Sequence, residues 1–127
     1  MLTKIKYPLI LDGGLSNVLE AFGCDLNHTL WSAKLLIDQP EIILRAHLAY
    51  LQAGANCIST AGYQASIEGF MKTGSSVMEA ENLILRSVEL AEEAREIFLR
   101  NKNLKKKIYV AASMGPYGAI LADGSEY

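Results

Sequence analysis

Three short stretches of the chain combine polar residues with glycine, and each lies at the carboxyl end of a predicted strand. They are residues 12–14, 60–64 and 113–116. The first reads Asp-Gly-Gly, and a carboxylate such as that of Asp12 can hold a ligand ammonium group or act as a base. The two glycine amides, beside a predicted helix N-terminus, can receive a ligand carboxylate. Together these groups suit the amino and carboxyl groups of an amino acid.

The same residues also have a structural interpretation, which the pattern leaves open. In that interpretation Asp12 caps the following helix, and Gly13 and Gly14 only make the turn. The Asp-Gly-Gly sequence is not the GxGxxG fingerprint of dinucleotide-binding proteins. An amino-acid site and a capped turn are therefore the two hypotheses for residues 12–14.

Two aromatic side chains and one amide are further candidates for lining a ligand pocket. Trp31, the only tryptophan, could present its indole face to a sulfonium or quaternary ammonium group. Tyr63 and Gln64 lie in the second polar stretch and could face the same ligand. The structural alternatives are core packing for Trp31 and a plain loop for Tyr63 and Gln64.

The histidines and cysteines show no metal-binding or catalytic spacing. His28 and His47 have no partner at ligand spacing, and we expect His47 to be an ordinary surface or boundary residue of a helix. Cys24 and Cys57 form no CxxC pair, so we expect free thiols that pack as small apolar side chains. The sequence shows no Ser-His-Asp set, no HExxH motif and no P-loop, and no pair of carboxylates is recognisable as a catalytic acid and base.

Short strands are predicted at residues 8–11, 56–60 and 108–112. The first and third are apolar runs, and the first is predicted to be buried on both faces. Amphipathic stretches between the runs predict helices. This alternation indicates an α/β protein with a parallel sheet. The three polar stretches then follow the carboxyl ends of the strands, where parallel α/β proteins bind their ligands.

Local signals mark where the predicted helices begin and end. Helices are predicted over residues 15–22, 31–37, 67–71 and 77–100, and a further helix begins at Pro40. The longest helix opens with a capping box, formed by Ser76 and Glu79. Three of the predicted helices end at glycines, namely Gly23, Gly54 and Gly74.

Length and composition limit the classes of protein to which the chain can belong. It has 127 residues, of which 50% are hydrophobic and 20% are charged, as in one globular domain. Twelve basic residues against 14 acidic ones give no electrostatic footprint for nucleic acid or an anionic membrane. There is no apolar run of about 18 residues and no secretory leader. We therefore predict a cytoplasmic protein that binds neither nucleic acid nor membrane.

The strand spacing predicts an incomplete barrel. A (β/α)8 TIM barrel has eight βα units, of about 30 residues each. Strands beginning near residues 8, 56 and 108 are spaced more widely, as in a barrel with large βα loops. We therefore predict that residues 1–127 form a single partial domain, the N-terminal portion of a TIM barrel with about three βα units.

The sequence resembles homocysteine S-methyltransferases, most closely those that use S-methylmethionine as the methyl donor. The resemblance extends over essentially the whole chain, in order and at compatible spacings. The segments that carry it are residues 11–16, 30–33, 53–66, 113–118 and 122–127.

This resemblance implies a methyl transfer from S-methylmethionine or S-adenosylmethionine to the thiolate of homocysteine, giving methionine. It implies that Asp12 meets the homocysteine amino group and that the backbone of Gly13 and Gly14 helps to hold its carboxylate. By the same resemblance Trp31, Tyr63 and Gln64 line the pocket near the methyl donor.

The resemblance also implies a zinc ion that holds the homocysteine thiolate. The family's zinc ligands are cysteines of the C-terminal half, and neither Cys24 nor Cys57 falls at one of those positions. The 127-residue chain therefore contains none of the metal ligands and no catalytic residue. We expect it to bind no catalytic zinc and to transfer no methyl group by itself.

Two other functions stay open at this point. An unrelated α/β-barrel enzyme could use the Gly13-Gly14 turn for a phosphorylated small molecule, although no basic residue lies nearby to neutralise phosphate. A non-catalytic half-barrel could instead cover its open sheet edges by forming a homo-oligomer or by binding a partner.

Overall fold

The computed structural model describes residues 8–27, 31–62, 67–72, 74–103 and 105–113. In these ranges helices and short strands alternate, which confirms the predicted α/β class, and no helix is long and apolar enough to span a membrane. In chain order the elements are α1 (Leu15–Ala21), α2 (Trp31–Asp38), α3 (Pro40–Gln52), β1 (Cys57–Ser59), α4 (Ile67–Lys72), α5 (Val77–Asn101) and β2 (Tyr109–Ala111).

The sheet has β1 at its centre. On one edge β1 pairs in parallel with β2, with Cys57 opposite Tyr109. On the other edge lie residues 8–12, which we call the first extended segment, and there Leu11 forms a parallel bridge with Cys57. The carboxyl ends of all three segments therefore point the same way, as the sequence predicted.

The side chain of Asn56 fastens the first extended segment to the residues just before β1. Its carboxamide oxygen accepts a hydrogen bond of 2.6 Å from the Ile10 N–H, and its amide nitrogen donates to the Pro8 carbonyl at 3.3 Å. The Asn56 N–H also donates to the Ile10 carbonyl at 2.9 Å. These bonds hold a segment whose regular β pairing is limited to one bridge.

The prediction that residues 8–11 form a strand buried on both faces is wrong for the described part of the chain. Leu9, Ile10 and Leu11 are exposed, and Leu11 keeps 62% of its side-chain accessibility. Among the described residues, α3 packs on β1 and α5 packs on β2, while Leu9, Ile10 and Leu11 are members of neither hydrophobic cluster.

The core is built where α3 and α5 pack against each other and against the strands. It divides into two clusters, and α5 contributes to both. Each buried side chain of the size of Leu or Phe adds about 1.5–3 kcal/mol of hydrophobic stabilisation. One cluster contains Leu19, Leu35, Leu36, Ile43, Ala46, Ala61, Phe70, Ala80 and Leu90, and the other contains Leu51, Ala55, Ile58, Ala91, Ala94, Phe98 and Ile108.

The predicted helix signals are confirmed at both ends of the helices. Ser76 accepts a hydrogen bond from the Glu79 N–H at 3.2 Å, and the Glu79 carboxylate accepts one from the Ser76 N–H at 3.2 Å. This is the capping box predicted for α5. Gly23, Gly54 and Gly74 all have positive φ, the backbone conformation in which a glycine ends a helix.

Candidate functional site

Asp12 lies at the end of the first extended segment and is bonded across to β1. One carboxylate oxygen accepts a hydrogen bond of 2.9 Å from the Ser59 N–H, and the other accepts one of 3.2 Å from the Ser59 hydroxyl. The Asp12 N–H donates to the Cys57 carbonyl at 2.9 Å. The half-buried carboxylate is therefore held at the carboxyl end of β1.

The alternative in which Asp12 caps the following helix is wrong. Helix α1 begins at Leu15, its N-cap is Gly14, and no side chain makes a capping hydrogen bond there. An ionised carboxylate has about four lone-pair sites, and Ser59 donates to it twice, so acceptor capacity remains. The carboxylate can thus be positioned by Ser59 and still accept hydrogen bonds from a ligand ammonium group.

The Gly13-Gly14 turn follows Asp12 and is in contact with Tyr50 of α3. The Tyr50 hydroxyl donates a hydrogen bond of 2.6 Å to the Gly14 carbonyl. A Cβ atom at Gly13 would lie 2.8 Å from the Tyr50 hydroxyl oxygen and 3.0 Å from its ring carbon Cε1. A side chain at residue 13 would therefore force the Tyr50 ring to shift, because ring atoms lie in the space that its Cβ would take.

His47 lies one turn before Tyr50 on α3 and is buried, so the expectation of a surface or boundary residue is wrong. Only 1% of its surface is accessible, and neither ring nitrogen has a hydrogen-bond partner in the described part of the chain. Burial lowers the pKa of His47 from 6.5 to about 4, and the nearby charge of Asp12 opposes this shift only in part. A neutral imidazole therefore lies near the Asp12 carboxylate at neutral pH.

The negative charge of Asp12 also acts on Tyr50 and Cys57. Burial raises the pKa of the Tyr50 phenol and of the Cys57 thiol, and the charge of Asp12 raises both further by a smaller amount. Both groups therefore keep their protons at neutral pH. Tyr50 stays a hydrogen-bond donor, and Cys57 is not an activated thiolate.

The ends of β1 and β2 are joined just beyond the strands. The Thr60 N–H donates to the Ala111 carbonyl at 2.9 Å, and the Thr60 hydroxyl accepts a 3.0 Å bond from the Ser113 N–H. A Cβ atom at Gly62 would lie 2.8 Å from the Ser113 carbonyl oxygen. As far as the described residues reach, the three polar stretches thus come together at one edge, which confirms their predicted convergence.

Replacement of Gly62 tests how tightly this edge is packed. In the full-length protein that carries this chain, we expect Gly62→Ala to lower the free energy of unfolding by about 1–3 kcal/mol, because its methyl group meets backbone that must move. The control is Gly14→Ser, because serine is favoured at an N-cap such as Gly14 and a Cβ atom there would come no closer than 3.5 Å to the Asn17 side chain. Chemical denaturation of both variants measures the effect, and equal stabilities would contradict the prediction.

Of the other predicted pocket residues, Trp31 is among the described residues, and Tyr63 and Gln64 are not. Trp31 is the first residue of α2, so the predicted helix start is confirmed, while its contact with a methyl donor stays a prediction. Tyr63 and Gln64 lie outside the described residues. Their predicted roles in lining the pocket therefore also stay predictions.

Cys24 and Cys57 do not form a metal site. Both are free thiols; Cys24 packs against the first hydrophobic cluster, and Cys57 is buried in β1. Across the ranges that the structure describes, no group of three or more histidine, cysteine, aspartate or glutamate side chains could hold a metal ion. The residues that the structure describes therefore offer no set of ligands for a zinc centre.

Three residues of this site, Ser59, Tyr50 and His47, were not identified as functional candidates from the sequence. His47 and Tyr50 are three positions apart on α3, and this spacing places both on one helix face. Ser59 follows the apolar pair Cys57 and Ile58 near the end of the second predicted strand. Both patterns are visible in the sequence, but the partner of each residue depends on strand register and helix packing.

The fold and the site together define a class of protein. It is an α/β protein whose half-buried carboxylate and adjoining glycine turn lie at the carboxyl ends of parallel strands. This is the edge at which α/β enzymes bind small molecules.

Comparison with known proteins narrows this class. The family model described as homocysteine S-methyltransferase matches residues 9–127. Homocysteine S-methyltransferase 2 of Zea mays is 55% identical over 125 residues, which are 94% of this chain and 37% of that protein. Selenocysteine Se-methyltransferase of Brassica oleracea var. italica is 52% identical over 126 residues, which are 93% of this chain and 36% of that protein.

A solved structure agrees with the sequence comparison. The metallated form of the homocysteine methyltransferase MmuM from Escherichia coli superposes with a TM-score of 0.89 at 49% identity, covering 96% of this chain and 43% of that chain. The chain therefore belongs to the homocysteine S-methyltransferase family. It spans less than half the length of the relatives named here.

Proposed function

We propose that this chain is the N-terminal part of a homocysteine S-methyltransferase and holds the amino-acid end of homocysteine. The proposal extends to a cytoplasmic TIM-barrel enzyme that takes its methyl group from S-methylmethionine or S-adenosylmethionine and forms methionine. Residues 1–127 would be a single partial domain of that barrel. The observation that carries the proposal is the Asp12 carboxylate, bonded to Ser59 beside the Gly13-Gly14 turn.

The arrangement suits an α-amino acid because its two charged groups are separated by a single carbon atom. Asp12 would accept hydrogen bonds from the α-ammonium group, a charge-assisted contact of the stronger kind. The amides of the adjacent turn would donate to the α-carboxylate. Fixing both ends of this zwitterion leaves the side-chain sulfur as the free end and orients it toward a bound donor, which lowers the entropic cost of the reaction.

The proposed reaction is a displacement at the methyl carbon of a sulfonium donor. The homocysteine thiol first loses its proton to solvent. The resulting thiolate sulfur forms the new bond to the methyl carbon, and the electron pair of the broken carbon–sulfur bond stays on the donor sulfur, which leaves as a neutral thioether. Opposite charges on thiolate and sulfonium are neutralised as the bond forms. A site that excludes water favours this step over the reaction in solution.

Zinc is part of the proposal for the full-length protein but not for this chain. A relative has been solved in a metallated form, which supports a metal in the full-length protein. The resemblance to homocysteine S-methyltransferases implies that this metal is zinc. The described residues do not fit a metal site, so the ligands would come from other parts of the full-length protein. This chain's own contribution is to bind and orient the amino acid.

Two alternative functions were left open by the sequence, an unrelated barrel that binds a phosphorylated molecule and a non-catalytic half-barrel. Membership in the homocysteine S-methyltransferase family rules out an unrelated barrel that binds a phosphorylated molecule. The non-catalytic half-barrel stays an alternative whose test is the size of the protein in solution, since Leu9, Ile10 and Leu11 are exposed at the edge of the sheet in either case. Such an edge can pair with another copy of the chain or with a partner.

The first test is the mass of the protein in its host, followed by an assay. We expect a species of about 30–35 kDa, the size of a complete barrel. The purified full-length protein should form methionine from homocysteine and S-methylmethionine, whereas the isolated 127-residue chain should form none and retain no stoichiometric zinc. The same assay with selenocysteine in place of homocysteine measures the acceptor specificity. The assay with S-adenosylmethionine in place of S-methylmethionine measures the donor specificity.

Two results would contradict the proposal. One is a full-length protein that forms no methylated product from either donor. The other is turnover by the isolated chain with stoichiometric zinc. A native species of 13.9 kDa whose size rises with concentration would favour the half-barrel that forms homo-oligomers.

A further inference from the structure

Tyr50 contacts the Gly13-Gly14 turn in two ways at once. Its hydroxyl donates to the Gly14 carbonyl at 2.6 Å, and its ring lies where a side chain at Gly13 would be. We infer that Tyr50 is a positioning residue, which sets the conformation of this turn for the carboxylate of the bound amino acid. The inference rests on the proposed function and adds a residue on α3 to the site.

The turn needs to be held because it consists of two exposed glycines. Glycine populates several backbone conformations with nearly equal ease, so such a turn does not choose one by itself. A trans peptide group directs its C=O and N–H to opposite sides. The bond from Tyr50 therefore fixes the peptide group between Gly14 and Leu15 and, with it, the direction of the Leu15 N–H at the end of the turn.

The turn is held at both ends. Ser59 of β1 holds the Asp12 carboxylate on one side, and Tyr50 of α3 holds the Gly14 carbonyl on the other. Gly13 lies between these two anchors, against the Tyr50 ring. The ammonium-binding carboxylate and the carboxylate-binding amides are thereby kept at a fixed separation.

Tyr50 is itself well placed to act as an anchor. It is part of α3, which packs on β1, and its ring packs against the second hydrophobic cluster. Burial and the charge of Asp12 raise the pKa of its phenol, so the hydroxyl remains a donor through the neutral range. The neighbouring titratable groups are Asp12, which is the intended ligand contact, and His47, which is buried and neutral.

The first experiment is Tyr50→Phe in the full-length protein, assayed with homocysteine and S-methylmethionine. The variant keeps the ring and loses the bond to Gly14, so the KM for homocysteine should rise about five- to tenfold. The KM for the donor and the kcat should stay within about twofold. The control is Tyr109→Phe, which removes a hydroxyl from β2 at the other end of the strands and should change neither constant.

The second experiment uses the steric contact. Gly13→Ala should raise the KM for homocysteine about 100-fold, because its methyl group displaces the turn or the ring. Tyr50→Leu alone should also raise this KM. Combined with Gly13→Ala, however, it should lower the KM at least about fivefold relative to Gly13→Ala, because the clashing ring atoms are gone.

These outcomes separate the inference from the function on which it rests. A full-length protein that transfers no methyl group would contradict both the proposed function and the positioning role of Tyr50. Normal activity together with an unchanged homocysteine KM in Tyr50→Phe would overturn the positioning role alone. So would a double variant worse than Gly13→Ala, since a tyrosine that only supports the fold gives additive losses. Unfolding midpoints of all variants show whether any loss reflects misfolding.

Discussion

Asp12→Asn is expected to lower kcat/KM for homocysteine by about 30-fold or more in the full-length protein, since removal of one partner from a buried charge pair costs about 2–5 kcal/mol. Asparagine keeps the size of the side chain but loses the charge that attracts the ammonium group. It also has one acceptor oxygen for the two donors of Ser59, so its orientation is less well fixed.

The comparison for Asp12→Asn is Asp25→Asn. Asp25 is an exposed aspartate whose carboxylate accepts a hydrogen bond from the Asn27 N–H within its own loop. Its replacement should leave the kinetic constants unchanged, although it removes the same charge. Steady-state kinetics with homocysteine varied at saturating donor measure both variants. Equal kcat/KM values for Asp12→Asn and Asp25→Asn would remove Asp12 from the binding site.

Acidification is the second large perturbation, and it acts through His47. Burial lowers the pKa of this imidazole from 6.5 to about 4, so between these values only the unfolded chain takes up the proton. Proton uptake stabilises the unfolded state. The free energy of unfolding is therefore highest above pH 6.5 and falls as the pH drops toward about 4. Between about pH 7.5 and about pH 5 the loss from this residue should be about 2 kcal/mol.

The variant His47→Leu isolates this contribution, because leucine fills a similar volume and carries no proton. Carboxylates titrate in both proteins and cancel in the comparison. Denaturant unfolding at the two pH values should show a loss that is about 2 kcal/mol smaller in the variant than in the unsubstituted protein. The same loss in both would mean that the imidazole is accessible to protons in the folded state.

Much of the fold follows from local patterns. The helix starts at Pro40 and Ser76 and the helix ends at the three glycines depend on neighbours within a few positions, and all were predicted. The positions of β1 and β2 followed from short apolar runs. These features were predictable because each depends on a backbone preference or a bond within one turn of chain.

The parts that could not be predicted depend on contacts between distant residues. Asp12 was identified as a ligand-binding candidate, but its partner Ser59 lies 47 positions away, and strand register brings the two together. The exposure of residues 9–11 depends on which helices cover the sheet. His47 is different, because Ile43, His47 and Leu51 recur every fourth position and all are buried. Its burial could have been read from helical periodicity.

Asn56 has a consequence for the synthesis of the protein. Its bond to Ile10 spans 46 positions, which correspond to roughly 2–9 s of translation at about 5–20 residues per second. The apolar residues 9–11 therefore leave the ribosome that much earlier than their partner β1 does. Lys4 and Lys6 flank this run in the sequence. Charges in that position hinder association between nascent chains until β1 is available.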